Sequence, residues 1–212
     1  MSRINIPKPS LERLPRYYRA ICLAAEQGER TISSESIGQA VGVNVVQVRK
    51  DLAYFGGLGR PGVGYDVLYL IAELSRILGI EQSTTAILVG VGHLGVAIAN
   101  YHGFGRYHVN LRALFDRDPQ KIGTALSGGV VIKPIEEMPS FLDQNHIDLG
   151  IITVPVEVAQ SVAEIMVDHG IKAIWNFAPM TLRLDSSVTV RNEDLTTGLV
   201  TLCYHLRHKD EL

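Results

Sequence analysis

Gly90, Val91, Gly92, His93, Leu94 and Gly95 form the part of the chain best equipped to hold a phosphate. Four apolar residues precede them and a helical pattern follows through Tyr101. In a Gly-x-Gly-x-x-Gly turn each glycine has its own task. Gly90 permits the tight turn, Gly92 lets the backbone approach a pyrophosphate, and Gly95 lets the helix pack close to its strand. The helix N-terminus adds free N–H groups and a partial positive charge. Asp116, in "LFDRD", lies about twenty residues beyond, at the end of the next strand, where a carboxylate binds ribose hydroxyls. That acid disfavours a 2′-phosphate, so the spacing predicts NAD(H) over NADP(H), although the neighbouring Arg117 weakens the preference. A turn without ligand, or one holding coenzyme A, are the other readings of the same residues.

The chemistry of turnover is missing from the pattern. There is no Gly-x-Ser-x-Gly elbow and no Tyr-x-x-x-Lys pair. The seven histidines show no metal spacing joined to a carboxylate cluster, and His93 would stand near a pyrophosphate rather than a nicotinamide. About 35 residues follow Phe177, too few for a substrate domain. The expectation is a bound dinucleotide with no catalytic residue and no metal. A small NAD-dependent oxidoreductase with a fused regulatory head, and a coenzyme A-binding regulator, are the alternatives.

A second chemistry lies upstream. In "VVQVRKDLAYF", Val45, Val48, Leu52 and Phe55 share one arc, while Gln47, Arg49, Lys50 and Tyr54 point elsewhere. Gln pairs bidentately with adenine, and Arg or Lys with guanine, in a major groove. Asn44 can cap this helix. Before it, "SSESIGQAVG" is a short helix with Ser33 or Ser34 as cap and Gly42 as stop. Two short helices across a tight turn, the second cationic, make a helix-turn-helix. The glycine-rich "GGLGRPGVGY" after them suits a wing, with Arg60 on it and Val63 and Tyr65 alternating as in a strand. Asn44, Gln47, Arg49, Lys50, Tyr54 and Arg60 are the candidate DNA contacts. A solvated amphipathic helix is the alternative for the two adjacent cations.

These parts need scaffolds. Residues 1–65 hold nine Lys/Arg against five Asp/Glu, whereas the whole 212-residue chain has a net charge of −2. Only the front would meet a polyanion. Ser10 precedes a first helix that ends at Gly28, with Pro15 in its first turn or so. A connector helix opens at Asp66. Strand candidates "TAILVG", "LRALFD", "GVVIK", "LGIITV" and "KAIWNF" alternate with helices, as in a parallel sheet. "SVTV" and a helix from about Asn192 close the chain. That helix carries an apolar stripe, Leu199, Leu202, Cys203 and Leu206, that has to be covered. The fold expected is α/β: an N-terminal winged helix-turn-helix over 1–80, a Rossmann-like parallel sheet over 81–190 and a C-terminal helix over 191–212. With two distant cysteines, no apolar signal core and no run long enough for a membrane span, the expected compartment is the cytoplasm. The final Lys-Asp-Glu-Leu spells an ER-retention signal but reads as the charged end of the last helix.

"QVRKDLAYFG" and "GVGY", followed by "VGVGHLG", "FDRDP", "TVP" and "NFAP", resemble the Rex family of redox-sensing transcriptional repressors over residues 10 to about 207. The resemblance implies a homodimer whose C-terminal helices swap onto the partner's nucleotide domain. It also implies repression of genes for NADH disposal, with NADH releasing the protein from an inverted-repeat operator. NADH and NAD+ would be sensed ligands, not redox cofactors in turnover. By motif, Gln47, Arg49 and Lys50 match the recognition helix, residues 90–95 the phosphate turn and Asp116 the ribose acid. Thr153, Val154, Pro155, Asn176, Phe177 and Ala178 match segments lining the nicotinamide side. Arg19, Tyr101 and Asp194 match a nucleotide-dependent switch across the dimer. The chain departs from the pattern at Pro61, where a basic wing residue is common, and at Leu195, where some members place Phe.

Overall fold

The computed structural model describes residues 6–54, 56, 59–60 and 62–208. Phe55, Pro61 and 209–212, on which three of the expectations above fall, lie outside the described residues. The chain divides into two compact units, Met1–Gln82 and Ser83–Leu212.

In the first unit, α1 runs over Lys8–Glu26 with Pro7 in the cap position and Pro9 in the first turn, where a missing N–H costs little. The helix thus starts earlier than expected. Ser10 is inside it and buried, and Pro15 is an interior residue on its exposed side. A two-residue strand, β1 (Thr31–Ile32), leads to α2 (Ser34–Val41). Ser33 caps α2 by accepting from the Ser36 amide at 2.9 Å. Gly42 ends it in the left-handed region at φ 68°. Asn44 caps α3 (Val45–Ala53) by accepting from the Val46 amide. Gly38 admits the turn between them, since a Cβ there would lie 2.5 Å from the Val43 carbonyl oxygen. Next come β2 (Gly59–Arg60) and β3 (Gly64–Asp66), forming an antiparallel sheet in the order β1-β3-β2. This is the expected wing, except that Val63 sits in the turn at its tip and does not alternate with Tyr65. Asp66 then caps α4 (Val67–Leu78) by accepting from the Tyr69 amide. Rather than acting as a free connector, α4 packs on α1. Leu14, Tyr17, Ile21, Ile37, Val48, Leu52, Leu70 and Leu74 fill the core between the helices.

One acid ties this core together. Asp51 on α3 is fully buried. It accepts from Ser10 Oγ (2.9 Å), Arg13 Nε (2.6 Å), Arg13 Nη2 (2.9 Å), Tyr17 Oη (2.8 Å) and Gln47 Nε2 (2.8 Å). Burial alone would raise its pKa, but these hydrogen bonds, Arg13's first, outweigh that and hold it at about 2. Burial and the bond to Asp51 push Tyr17 up to about 12.

The second unit is a six-stranded parallel sheet in the order β6-β5-β4-β7-β8-β9. The strands are β4 (Thr84–Val89), β5 (Val109–Asp116), β6 (Ile132–Pro134), β7 (Leu149–Ile152), β8 (Ala173–Asn176) and β9 (Thr189–Asn192). Each strand candidate of the sequence lies on one of them. The crossovers carry α5 (His93–Ala99), α6 (Met138–Gln144) and α7 (Val156–Asp168). Alternation along β4 sends Ile87 and Val89 to one face and Ala86 and Leu88 to the other, so the sheet is covered on both sides. Strand order reverses between β4 and β7, and ligands of such sheets bind at that crevice. The closing helix, α8 (Leu195–Arg207), begins at the Asp194 cap and has no buried residue. Leu199 and Leu202 are each 62% exposed and Leu206 71%.

Asp51→Ala leaves Tyr17 without its acceptor in the interior and the half-buried Arg13 without its partner. It is expected to cost roughly 3 kcal/mol or more in urea unfolding. Tyr17→Phe should cost about 1–3 kcal/mol. Because the folded pKa of Asp51 is about 2, below the unfolded value near ~3.9, its contribution is complete above pH ~4 and fades as pH falls through ~2. An acid titration of unfolding should therefore show a flatter profile in Asp51→Ala than in the parent.

Candidate nucleotide site and nucleic-acid interface

The turn after β4 is built from close approaches. Gly90 lies at φ +97°, where a side chain is strained, and a Cβ there would meet the Thr153 carbonyl at 2.8 Å. Thr153 Oγ1 donates to the Gly90 carbonyl at 2.6 Å and approaches that of Val89 at 3.1 Å, pinning the turn to the end of β7. A Cβ on Gly95 would lie 2.0 Å from the Gly90 oxygen. The fold itself thus requires glycine at 90 and 95. Gly92 is different: it caps α5 with ordinary dihedrals, and a Cβ there meets nothing within 4 Å. The fold itself makes no demand for glycine there.

Asp116 closes the turn from the other side. It is 8% exposed. Its Oδ2 accepts from the Val91 amide at 2.6 Å and faces Lys121 Nζ at 3.3 Å, while Oδ1 accepts from the Asp118 amide at 2.9 Å. Burial would raise its pKa, but the Asp118 and Val91 amides and Lys121 hold it below the ordinary carboxylate range. It stays charged.

A cavity of about 610 Å³ opens beside this turn. Gly92, Leu94, Asp116, Arg117 and Lys121 line it from the turn and the end of β5. Thr153, Val154 and Pro155 line it from the loop after β7, and Phe177 and Ala178 from the loop after β8. This groups most of the residues picked out from the sequence. Four of those expected near a nucleotide stand off its wall. The Val91 side chain is buried against the sheet, His93 is exposed at the start of α5, and Gly95 serves packing. Asn176 is fully buried. Its Nδ2 donates to the carbonyls of Ala178 and Met180 and to Asn192 Oδ1, and its Oδ1 accepts from the Ala178 amide. With every polar group taken, Asn176 shapes the loop that carries Phe177 and Ala178 instead of facing the cavity. Lys121 was not singled out from the sequence; its position five residues after Asp116 becomes meaningful only once the loop folds back.

In the first unit, Arg49, Arg60, Ser33, Ser34 and Tyr65 surround a crevice of about 550 Å³ between α2, α3 and the wing. Arg49 Nε donates to Ser34 Oγ at 3.0 Å. Lys50 and Tyr54 are exposed. Gln47 departs from expectation: its amide is committed to Asp51, four residues on, and is half-buried rather than outward. Asn44 spends its side-chain oxygen on the helix cap. Ser33 and Ser34 join the crevice without any sequence signal beyond capping. Of the three switch candidates, Arg19 is exposed on α1 in the first unit. In the second, Tyr101 is exposed with its ring edge-on to Phe104 at 5.4 Å. Asp194 caps α8, accepting from the Thr196 amide and from the Thr196 and Thr197 hydroxyls. Those bonds, Thr196's first, lower its pKa. Among the described residues no cluster of three or more His, Cys, Asp or Glu could hold a metal, and no helix is long and apolar enough to cross a membrane.

Residues 5–53 match a family model described as "Putative DNA-binding protein N-terminus", and residues 81–180 one described as "CoA binding domain". The chain is 39% identical to a redox-sensing transcriptional repressor Rex of Chloroflexus aurantiacus over 100% of both chains. It is 40% identical to that of Desulfitobacterium hafniense, over 97% of this chain and 98% of the relative. The chain belongs to the Rex family. Crystal structures of RSP, a Rex-family repressor, share its fold. The complex of RSP with β-NAD+ and operator DNA has a TM-score of 0.88 at 36% identity, covering 97% of this chain and 94% of that one. The complex of RSP with β-NADH has a TM-score of 0.85 at 36% identity, over 97% and 96%. Rex proteins are transcriptional regulators, so the oxidoreductase reading falls away.

Gly92→Ala separates the ligand from the fold. The new methyl meets no atom of the protein, so the thermal midpoint should stay within about 2 °C of the parent's, an effect below ~1 kcal/mol. The sequence motif expects a pyrophosphate against the backbone there, and on that expectation calorimetry should find NADH binding at least tenfold weaker. Gly95→Ala should instead destabilise the unit outright.

Proposed function

We propose that this Rex protein binds an inverted-repeat operator as a homodimer when NADH is low and leaves it when NADH binds. The observation that carries the reading is the joint presence, along one chain, of a cationic winged helix and a phosphate turn backed by a charged ribose acid. The solved complex of RSP with β-NAD+ and operator DNA supports it, because that chain shares the fold over 97% of this one. Arg49, Lys50, Tyr54 and Arg60 contact the DNA, with Asn44 and Gln47 ordering the recognition helix beneath them. The turn holds the pyrophosphate through its backbone, Asp116 takes the ribose hydroxyls and thereby favours NAD(H), and the segments around Thr153 and Phe177 meet the nicotinamide. The working compartment is the cytoplasm.

The apolar stripe of α8 supports the dimer. A partner's nucleotide domain would cover Leu199, Leu202 and Leu206, and the shape of the dimer would then depend on what fills the cavity. A ligand shifts two shapes only through its different affinity for them. The neutral, puckered ring of NADH differs from the flat cationic ring of NAD+. A clean switch needs roughly 5 kcal/mol of such preference. Arg19 pairing with Asp194 near Tyr101 in only one shape is our assignment for the switch.

Operator binding titrated separately with NADH, NAD+, NADPH and coenzyme A should show release by NADH at the lowest concentration. Release by coenzyme A alone would replace the dinucleotide reading. Arg49→Ala should lose roughly 1–3 kcal/mol of discrimination if it reads a guanine. Lys50→Ala should weaken all sequences evenly and flatten the salt slope by about one unit. Asp194→Ala should fold, dimerise and bind NADH, yet require more NADH for release. A release curve that overlays the parent's would exclude the Arg19–Asp194 pair.

A further inference from the structure

Phe177 on the cavity wall is the first of a run of touching rings. Its centroid lies 4.7 Å from that of Trp175, at an interplanar angle of 52°. Trp175 meets Phe104 edge-on at 6.1 Å, and Phe104 meets Tyr101 edge-on at 5.4 Å. These separations lie within the range of favourable aromatic pairs. Trp175 also reaches a second destination. Its Nε1 donates to Glu193 Oε1 at 3.2 Å, and Arg191 Nε donates to the same oxygen at 2.9 Å. The Glu193 amide donates to the Asn176 carbonyl at 2.8 Å, so β9 ends against the same strand that carries Trp175. The next residue is Asp194, the cap of α8.

Trp175 therefore touches both routes out of the cavity. Its ring leads to Tyr101 and its N–H leads to the residue before the α8 cap. Core packing alone would explain a tryptophan on this sheet face, where it lies with Phe177 against the cluster around Leu88 and Ile151. An indole N–H on such a face takes an acceptor within reach, and here that acceptor is the carboxylate at the foot of the terminal helix.

The geometry points to Trp175 as the positioning residue that transmits occupancy of the nucleotide cavity to Tyr101 and to the cap of α8. This rests on the operator and NADH reading above. A bound nicotinamide side that moves Phe177 must move the indole packed on it. The indole cannot shift without changing either its edge-on contact with Phe104 or its bond to Glu193. Trp175 binds neither nucleotide nor DNA in this scheme, so its substitution should change the coupling and leave each affinity alone.

The test uses the full chain and a labelled operator duplex, with affinity read by anisotropy in the absence of NADH and at saturating NADH. In Trp175→Phe, NADH affinity and NADH-free operator affinity should stay within about twofold of the parent's, while the NADH-induced loss of operator affinity shrinks about tenfold, within the ordinary range of coupling between sites. Glu193→Ala, which leaves every ring in place, should reduce the loss in the same direction. Because Trp175 is the chain's single tryptophan, its emission adds a readout that a packing role would not move. Operator added without nucleotide should shift the emission maximum, since coupling between two sites is reciprocal. An NADH-induced loss equal to the parent's in both variants, or an emission maximum unmoved by operator, overturns the assignment while the function stands. A parent whose operator affinity ignores NADH overturns both.

Discussion

The amide of Val91 bound to the carboxylate of Asp116 at 2.6 Å is the contact on which the nucleotide unit turns. It joins the loop after β4 to the end of β5, while Thr153 pins the same loop to the end of β7. Three adjacent strands thereby hold one backbone turn from two sides. An anion site made of backbone amides works only if the amides are already aimed. The clamp supplies that aim, and it leaves the space over Gly92 open. Asp116 thus combines two roles. It organises the turn after β4 and remains a charged acceptor at the cavity edge, with Lys121 balancing its burial.

A second buried acid does the equivalent work in the first unit. Asp51 gathers Ser10, Arg13 and Tyr17 from α1 onto α3 and holds Gln47 within its own helix. The role proposed for α3, reading DNA, calls for a helix that is rigid beneath and polar above. Here the rigidity comes from a charged hub rather than from apolar packing alone. Removing one partner of such a hub is costly because the others lose their solvation without compensation. Gln47 shows how the hub reaches the outer face: a side chain suited to read a base is turned inward to complete the acid's coordination.

Much of this organisation is legible along the chain because it obeys local rules. Caps at Ser33, Asn44 and Asp66, the stop at Gly42 and the alternation in β4 are short-range patterns, and the structure has them where the residues indicate. The sites divide differently. Gly90 and Gly95 follow from a motif whose spacing is fixed by one strand–turn–helix unit. Asn176 and Gln47 did not behave as motif positions suggest, because each polar group goes to the nearest buried partner, and those partners, Met180, Asn192 and Asp51, are set by packing.

The sequence by itself determined two things: the order of elements, through periodicity and capping, and the tight turn after β4, through glycines at 90 and 95 that no other residue can replace. Tertiary structure alone decided which polar side chains face outward. It also brought Trp175 within reach of both Phe177 and Glu193, and left α8 with an uncovered apolar stripe. The reason is physical. Backbone geometry is dictated by neighbours a few residues away, whereas a buried carboxylate or indole must be satisfied by whatever the fold brings beside it, across separations such as the 41 residues between Ser10 and Asp51.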